Sequence, residues 1–485
     1  MGSAVAEEAF LKSKSAEGFA IIALLGIVRF VVASGNYFVL GHLLSPDVFG
    51  TYAFCVVVVG FAALLTTVEG RRSVITATEK VDEVFTHALG IELALAVLVM
   101  AVIVVGSPSI LWLLNRPEIP PAYLQLLSLQ LLITPFELPL ALLERRLAFR
   151  IIGVIEFVSI LANCVISIGL AWRGWGVWSL VVSTVVSGWV RVLLGWLIVR
   201  PRLVRRLDGH VARQVVGYGL PLTLSNMIGH WYWNVDDLIV GYLLGTVELG
   251  YYWLAFKIPH YMLQLADTVS KVTFPVYARM PGDEGLERAF NWVTKLSAAL
   301  LLLPAVLALP YGEFIIVTAF GEQWMPAVLT FQIYMSLVAF RGTLRHWADV
   351  AMVKGYNRVV LHVTASVGVL LPVLGYLVTL RYGIAGMAAA VALSLIVTSP
   401  LYLLRMHRWL GVRYLRILWP EVVTGVIVAL LGILVHRLLP DRFIVNVLAL
   451  AMLCGAYVGV LLVLDRPIVS LIGSEVRSRL VRRPV

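Results

Sequence analysis

Apolar runs of about sixteen to twenty residues recur along this sequence, and only short polar stretches separate them. A run of that length, coiled as a helix, is long enough to cross the hydrocarbon core of a bilayer. In that solvent every backbone N–H and C=O needs an internal partner, so such a chain folds as a helical bundle rather than an open sheet. Sixty per cent of the 485 residues are hydrophobic and 14% are charged, with a mean hydropathy of +0.92, which excludes an ordinary soluble domain. The chain therefore reads as an all-α polytopic membrane protein.

Fourteen helices are expected, over residues 18–40, 49–68, 84–106, 120–143, 151–172, 175–199, 215–241, 249–276, 290–312, 323–347, 358–380, 383–404, 415–437 and 443–464. Loop charge supports the count. Of the 38 lysines and arginines, 26 fall in the termini and in alternate loops, whereas the opposite loops hold five: Arg116, Arg173, Arg381, Arg437 and Arg442. The positive-inside rule then puts both termini in the cytoplasm. The first helix reads as retained rather than as a cleaved leader, because Lys12 and Lys14 precede an overlong apolar stretch interrupted by Arg29.

The net charge of +10 lies in short loops rather than on a soluble basic domain, so no nucleic-acid partner is expected. Cys55, Cys164 and Cys454 sit singly inside apolar runs, without CxxC spacing or histidine companions. Neither a disulfide, nor a metal, nor any other cofactor follows from them.

An internal repeat appears at an offset of 200 residues. Gly41-His42-Leu43-Leu44 and Phe49-Gly50-Thr51-Tyr52 match Gly241-Tyr242-Leu243-Leu244 and Leu249-Gly250-Tyr251-Tyr252. Six helices separate the copies, so both halves insert the same way up, as in a parallel pseudo-two-fold repeat. The expected organisation is an N-lobe over 1–213, a C-lobe over 214–410, each of six helices, and two extra helices with a basic tail over 411–485. Gly455 and Gly459 give the last helix a GxxxG spacing that permits close helix contact.

Two segments break the apolar pattern in an ordered way. Asn226, His230, Trp233 and Asp237 share one helical stripe, and Lys257, His260, Gln264, Asp267 and Lys271 share another. A central Lys or Asp costs about 2.5–3.5 kcal/mol on insertion, whereas each Leu, Ile, Phe or Val returns about 0.3–0.6. The ten such apolar residues between Leu249 and Val276 do not outweigh Lys257, Asp267 and Lys271. That segment needs partner helices, and intramembrane charges of this kind mark functional positions. Arg29 and Arg341 lie equally deep, whereas Arg191, Lys271, Lys295 and Arg345 are close enough to a helix end to snorkel.

Leu43-Leu44-Ser45-Pro46-Asp47-Val48-Phe49-Gly50-Thr51-Tyr52-Ala53 resembles the signature that follows the first helix of Wzx-type polysaccharide flippases. Those proteins belong to the multidrug/oligosaccharidyl-lipid/polysaccharide exporter superfamily. Glu144 to Arg150, Asp237 to Gly241 with Leu249 to Tyr252, and Phe274 to Arg279 resemble its later motifs, in the same order. The resemblance implies two six-helix lobes around a central cavity and export of an undecaprenyl-pyrophosphate-linked oligosaccharide by alternating access. Fourteen helices, rather than the twelve usual among the superfamily's multidrug exporters, favour the polysaccharide branch.

Such a cargo needs cations for its diphosphate and hydroxyl partners with flat rings for its glycan. Arg29, Lys257 and Arg341 supply charge; Asn36, Asn226, Asn234 and Gln264 supply amides; His230, His260 and Trp233 complete the expected substrate-binding set. Glu137, Asp236, Asp237 and Asp267 are the carboxylates expected to couple an ion, although a fixed interhelical hydrogen bond explains each at least as well. Pro259, beside Lys257 and His260, is the best-placed hinge. The expected partners are the membrane, the polyprenyl-pyrophosphate-linked glycan and other polysaccharide assembly proteins, with the chain acting as a monomer. An embedded glycosyltransferase or polymerase is disfavoured, because the longest outer loop, around Ser107–Ile119, carries one glutamate. A cation-coupled multidrug exporter is the principal alternative.

Overall fold

In a computed structural model the described residues are 31–204, 208–280, 282–410, 414–440 and 442–465. Arg29 lies outside them. All regular structure among these residues is helical: α1 (31–43), α2 (Pro46–Ala63), α3 (Gly70–Thr76), α4 (Val81–Leu113), α5 (Pro121–Leu127), α6 (Gln130–Phe136), α7 (Leu138–Arg145), α8 (Phe149–Trp172), α9 (Val177–Val199), α10 (Gly209–Leu244), α11 (Thr246–Arg279), α12 (Gly282–Phe320), a 3-10 turn at Glu322–Ala327, α13 (Val328–Val353), α14 (Asn357–Leu410), α15 (Tyr414–Leu438) and α16 (Phe443–Leu464).

Helices among the described residues coincide with thirteen of the fourteen expected spans, and residues 18–30 of the first lie outside them. Ten helices are long and apolar enough to cross a membrane by length and composition. Of the remaining expected spans, 215–241 and 249–276 coincide with α10 and α11, which carry the polar stripes, and 358–380 and 383–404 both lie within α14. Gly383 (φ 60°, ψ −146°) breaks α14 in a region that glycine alone enters readily.

Local chemistry explains the departures from the expected boundaries. The fourth span is three short helices rather than one, interrupted at Ser128-Leu129 and again at Glu137. Pro135 and Pro139 flank the second break, each removing a donor and crowding the preceding turn. The second span starts early because Pro46 occupies its first turn, where a missing N–H is harmless, with Ser45 extended before it. Pro259, in contrast, lies inside a continuous α11.

The chain divides into two compact units after Gly250. In the first, Val68, Phe85, Leu138, Leu142, Ile155 and Val215 belong to one buried cluster that joins α3, α4, α7, α8 and α10. There the repeat acquires a physical meaning. A Cβ on Gly50 would lie 1.6 Å from the Thr246 carbonyl oxygen, and one on Gly250 would lie 1.9 Å from that of Pro46. The two matching glycines are where α2 and the first turn of α11 cross, and Thr246 donates a hydrogen bond to Asp47 beside them. In the second unit, Tyr277, Phe290, Trp347 and Val350 form one core, while Val306, Tyr311, Leu453 and Tyr457 belong to another that seats α15 and α16 on α12. Gly455 and Gly459 face open space, so they make no close helix contact among the described residues.

Candidate functional site

The expected site residues fall on both units. Asn36, Glu137, Asn226, His230, Trp233, Asn234, Asp236 and Asp237 belong to the first, and Lys257, His260, Gln264, Asp267 and Arg341 to the second.

In the first unit, α10 is pressed against the turn between α2 and α3. Gly219 permits it, since a Cβ there would stand 1.7 Å from the Val68 carbonyl oxygen. Glu69 adopts a left-handed conformation (φ 53°), and Asn226 donates to its carboxylate while Arg72 pairs with it at 3.3 Å. Thr223 donates to the Thr67 carbonyl at 3.2 Å. Behind the turn, Glu92 of α4 accepts hydrogen bonds on one oxygen from Thr67 Oγ1, Val68 N and Gly70 N, at 2.8, 3.0 and 2.9 Å. Asn226 is thus engaged in holding Glu69 to α10.

Further along α10, His230 stacks edge-on against Phe61 at 4.9 Å, and Asn234 turns back to donate to the His230 carbonyl. Trp233 is 40% exposed and packs against Tyr232, while Asp236 and Asp237 are buried. Arg116 reaches the end of the same helix, donating to the carbonyls of Gly241 at 2.6 Å and Tyr242 at 3.1 Å. Those are terminal carbonyls that the helix itself leaves without donors. Asn36 joins a polar ladder across α1, α8 and α9, accepting from Ser167 at 3.1 Å and facing Asn163, which in turn faces Ser187.

Three of the cations expected to snorkel, Arg191, Lys295 and Arg345, are ion-paired within their units. Arg191 pairs with Glu137 at the break between α6 and α7, and Arg345 lies 3.2 Å from Asp267. Outside the spans, Arg71 donates to Glu144, and that carboxylate raises the guanidinium above its ordinary range.

The second unit brings the cations together. α11 and α13 run side by side in parallel register: Tyr252 bonds Tyr334, Asp267 meets Arg345, and Ser270 donates to the buried Asp349. Between the first two of these contacts, His260 lies within electrostatic reach of both Lys257 and Arg341. Lys257 Nζ stands 4.1 Å from the Trp253 ring centre and 5.9 Å from that of Tyr261. Phe256 packs on Tyr334 at 5.0 Å and on His260 at 5.3 Å. Gln264 is exposed one turn below. The result is a face with two cations, an imidazole and several aromatic rings, and the described carboxylates are gathered at its far end. Ring faces hold an ammonium without neutralising it, so such a face favours an anion with flat or hydroxylated groups attached.

The sequence profile of the family described as "Polysaccharide biosynthesis protein" matches residues 39–329, more than half of the chain. The chain belongs to this family. Its relatives include the succinoglycan biosynthesis transport protein ExoT of Rhizobium meliloti, 27% identical over 59% of this chain and 58% of that protein. The lipopolysaccharide biosynthesis protein WzxC of Escherichia coli is 26% identical over 66% of this chain and 64% of its own length. Each match thus spans roughly three-fifths of the relative. Among solved structures, the inward closed lipid II flippase MurJ superposes with a TM-score of 0.76 at 11% identity, over 92% of this chain and 99% of MurJ. An inward-facing multidrug resistance MATE family transporter of the MOP superfamily superposes at 0.64, over 81% and 98% respectively, with 14% identity. The fold is therefore that of MurJ and MATE proteins. Among the described residues no group of three or more His, Cys, Asp or Glu is arranged to hold a metal.

The sequence did not single out Trp253, Glu69, Glu92 or Tyr334. A glutamate inside an otherwise apolar run was the only signal for Glu92, and nothing in the local pattern pairs Tyr334 with Tyr252.

Proposed function

We propose that this chain moves an undecaprenyl-pyrophosphate-linked oligosaccharide from the cytoplasmic to the outer leaflet of a bacterial inner membrane, by alternating access, for assembly of a surface polysaccharide. In this reading it is a transporter rather than an enzyme, works as a monomer without a cofactor, and keeps both termini in the cytoplasm. The observation that carries it is the α11–α13 face, where Lys257, His260 and Arg341 gather among Trp253, Phe256 and Tyr261. Membership of the family and the biosynthetic roles of its relatives support the same reading.

Lys257 and Arg341 take the diphosphate, Lys as a point charge and Arg through its planar fork. Gln264, Asn226, Asn234, Asn36, His230 and Trp233 serve glycan or carrier, and Arg29 adds charge from the first helix. Asp236, Asp237, Asp267 and Glu137 remain the carboxylates through which an ion would couple. The lobes are taken as 1–213 and 214–410, with 411–485 appended.

Purified protein in liposomes tests this directly. It should translocate a polyprenyl-pyrophosphate sugar, and Lys257→Ala or Arg341→Ala should slow translocation about tenfold to a hundredfold, the loss of one charge-assisted contact. Both variants should still insert in normal amount. Transport of hydrophobic cations alone would replace this reading with that of a multidrug exporter.

A further inference from the structure

The proposed transport does not involve the group of charges where α12, α15 and α16 meet. Lys295 Nζ of α12 lies 2.7 Å from Asp465 Oδ2, at the end of α16. Glu421, in the second turn of α15, has its carboxyl beside that of Asp465 and within electrostatic reach of Lys295. Glu421 and Asp465 are each 1% exposed. Apart from the Asp465 carboxyl and the backbone N–H of Glu421 itself, no described group serves the Glu421 carboxyl, and Asp465 Oδ1 has no hydrogen-bond donor among the described residues. Among the described residues Tyr457 of α16 is a further titratable group nearby, and its hydroxyl is occupied in donating to the Ala299 carbonyl of α12 at 2.9 Å.

The charges do not balance if both acids are ionised. Two buried carboxylates would then face, among the described residues, a single ammonium, with only the Glu421 backbone N–H to disperse the excess charge. Removing an unbalanced ion from water costs several kcal/mol even after relaxation, and a titratable group escapes that cost by taking up a proton. Two carboxyls in contact are favourable only when a proton lies between them, as in other acid pairs that share one. The neighbouring lysine argues against a bound metal ion in place of the proton.

We propose that Glu421 and Asp465 form a proton-binding site in which the two carboxyls share one proton while Lys295 balances the remaining charge. The bound proton fastens α15 to the end of α16, and the lysine fastens both to α12. On the expected topology the site lies near the cytoplasmic ends of these helices, and Lys295, one-fifth exposed, marks its way out to solvent. This inference does not depend on what the protein transports.

Infrared spectroscopy of the full-length protein in phosphatidylethanolamine/phosphatidylglycerol vesicles tests it. The wild type should show the C=O stretch of a protonated carboxylic acid, and Glu421→Gln should lack that component while remaining folded, because glutamine is a neutral isostere of the protonated acid. Asp465→Asn should lose the same component although Glu421 is still present, since one carboxylate then matches one ammonium. In alkaline medium the melting temperature of the wild type should fall, and that of Glu421→Gln should fall less. An acid band that survives Glu421→Gln unchanged would overturn the proposal, as would one that survives Asp465→Asn. Failure of Glu421→Gln to fold would also overturn it, because the site would then require the charge rather than the proton.

Discussion

Two glutamates, one in each compact unit, are buried to nearly the same degree and surrounded differently. Glu92 is 2% exposed and receives three donors from other residues on one oxygen; Glu421 is 1% exposed and, among the described residues, meets only its own backbone N–H and the Asp465 carboxyl. Both interrupt helices that are otherwise apolar enough to span a membrane. Burial therefore does not decide what a carboxyl does. The donors around it do, and here they make one glutamate a fastener for a backbone turn and leave the other to a proton.

The largest expected effect is on the Glu92 side of this contrast. Glu92→Leu strips the acceptor from two backbone N–H groups and a hydroxyl inside the protein, which should destabilise it by about 3 kcal/mol or more. A fall in both melting temperature and membrane abundance would register this; a variant that melts with the wild type would erase the distinction. Asp465→Asn should cost less, about 1–2 kcal/mol, because Lys295 is partly exposed and regains a partner in Glu421. Glu92→Gln keeps an oxygen where the three donors converge and gives up only the charge, so a loss of about 1 kcal/mol is expected in the same melting assay. Glu421→Gln should be the mildest at neutral pH, within about 0.5 kcal/mol of the wild type. Equal losses for the two Glu→Gln variants would mean that local donors do not set the difference.

Much of the molecule was legible beforehand because a bilayer allows few solutions. Apolar run lengths and the alternation of Lys and Arg pointed to fourteen helices, and the described residues hold a helix at each place but the start of the first, ten of them apolar enough to cross a membrane. Even the repeat proved physical: Gly50 and Gly250, found as matching letters, are the glycines across which two backbones touch. The break of the fourth span was within reach as well, since Pro135 and Pro139 announce it. The polar stripes on α10 and α11 were visible as periodicity, but periodicity carries no information about which neighbour a side chain meets. The Asn226 amide, expected to meet glycan hydroxyls, also bonds Glu69, a residue 157 positions away. Lys295 looked able to snorkel and is found paired with Asp465, 170 positions away.

By itself the sequence determined that this is a helical membrane protein, where its helices lie, and which of them carry charge. Those properties follow from transfer free energies that each residue contributes nearly independently of its distant neighbours. Only the tertiary structure decided which charges neutralise one another, which carboxyl holds a turn, and which pair retains a proton. Coulombic and hydrogen-bonding energies depend on distance and direction across packed helices, and a one-dimensional pattern contains neither.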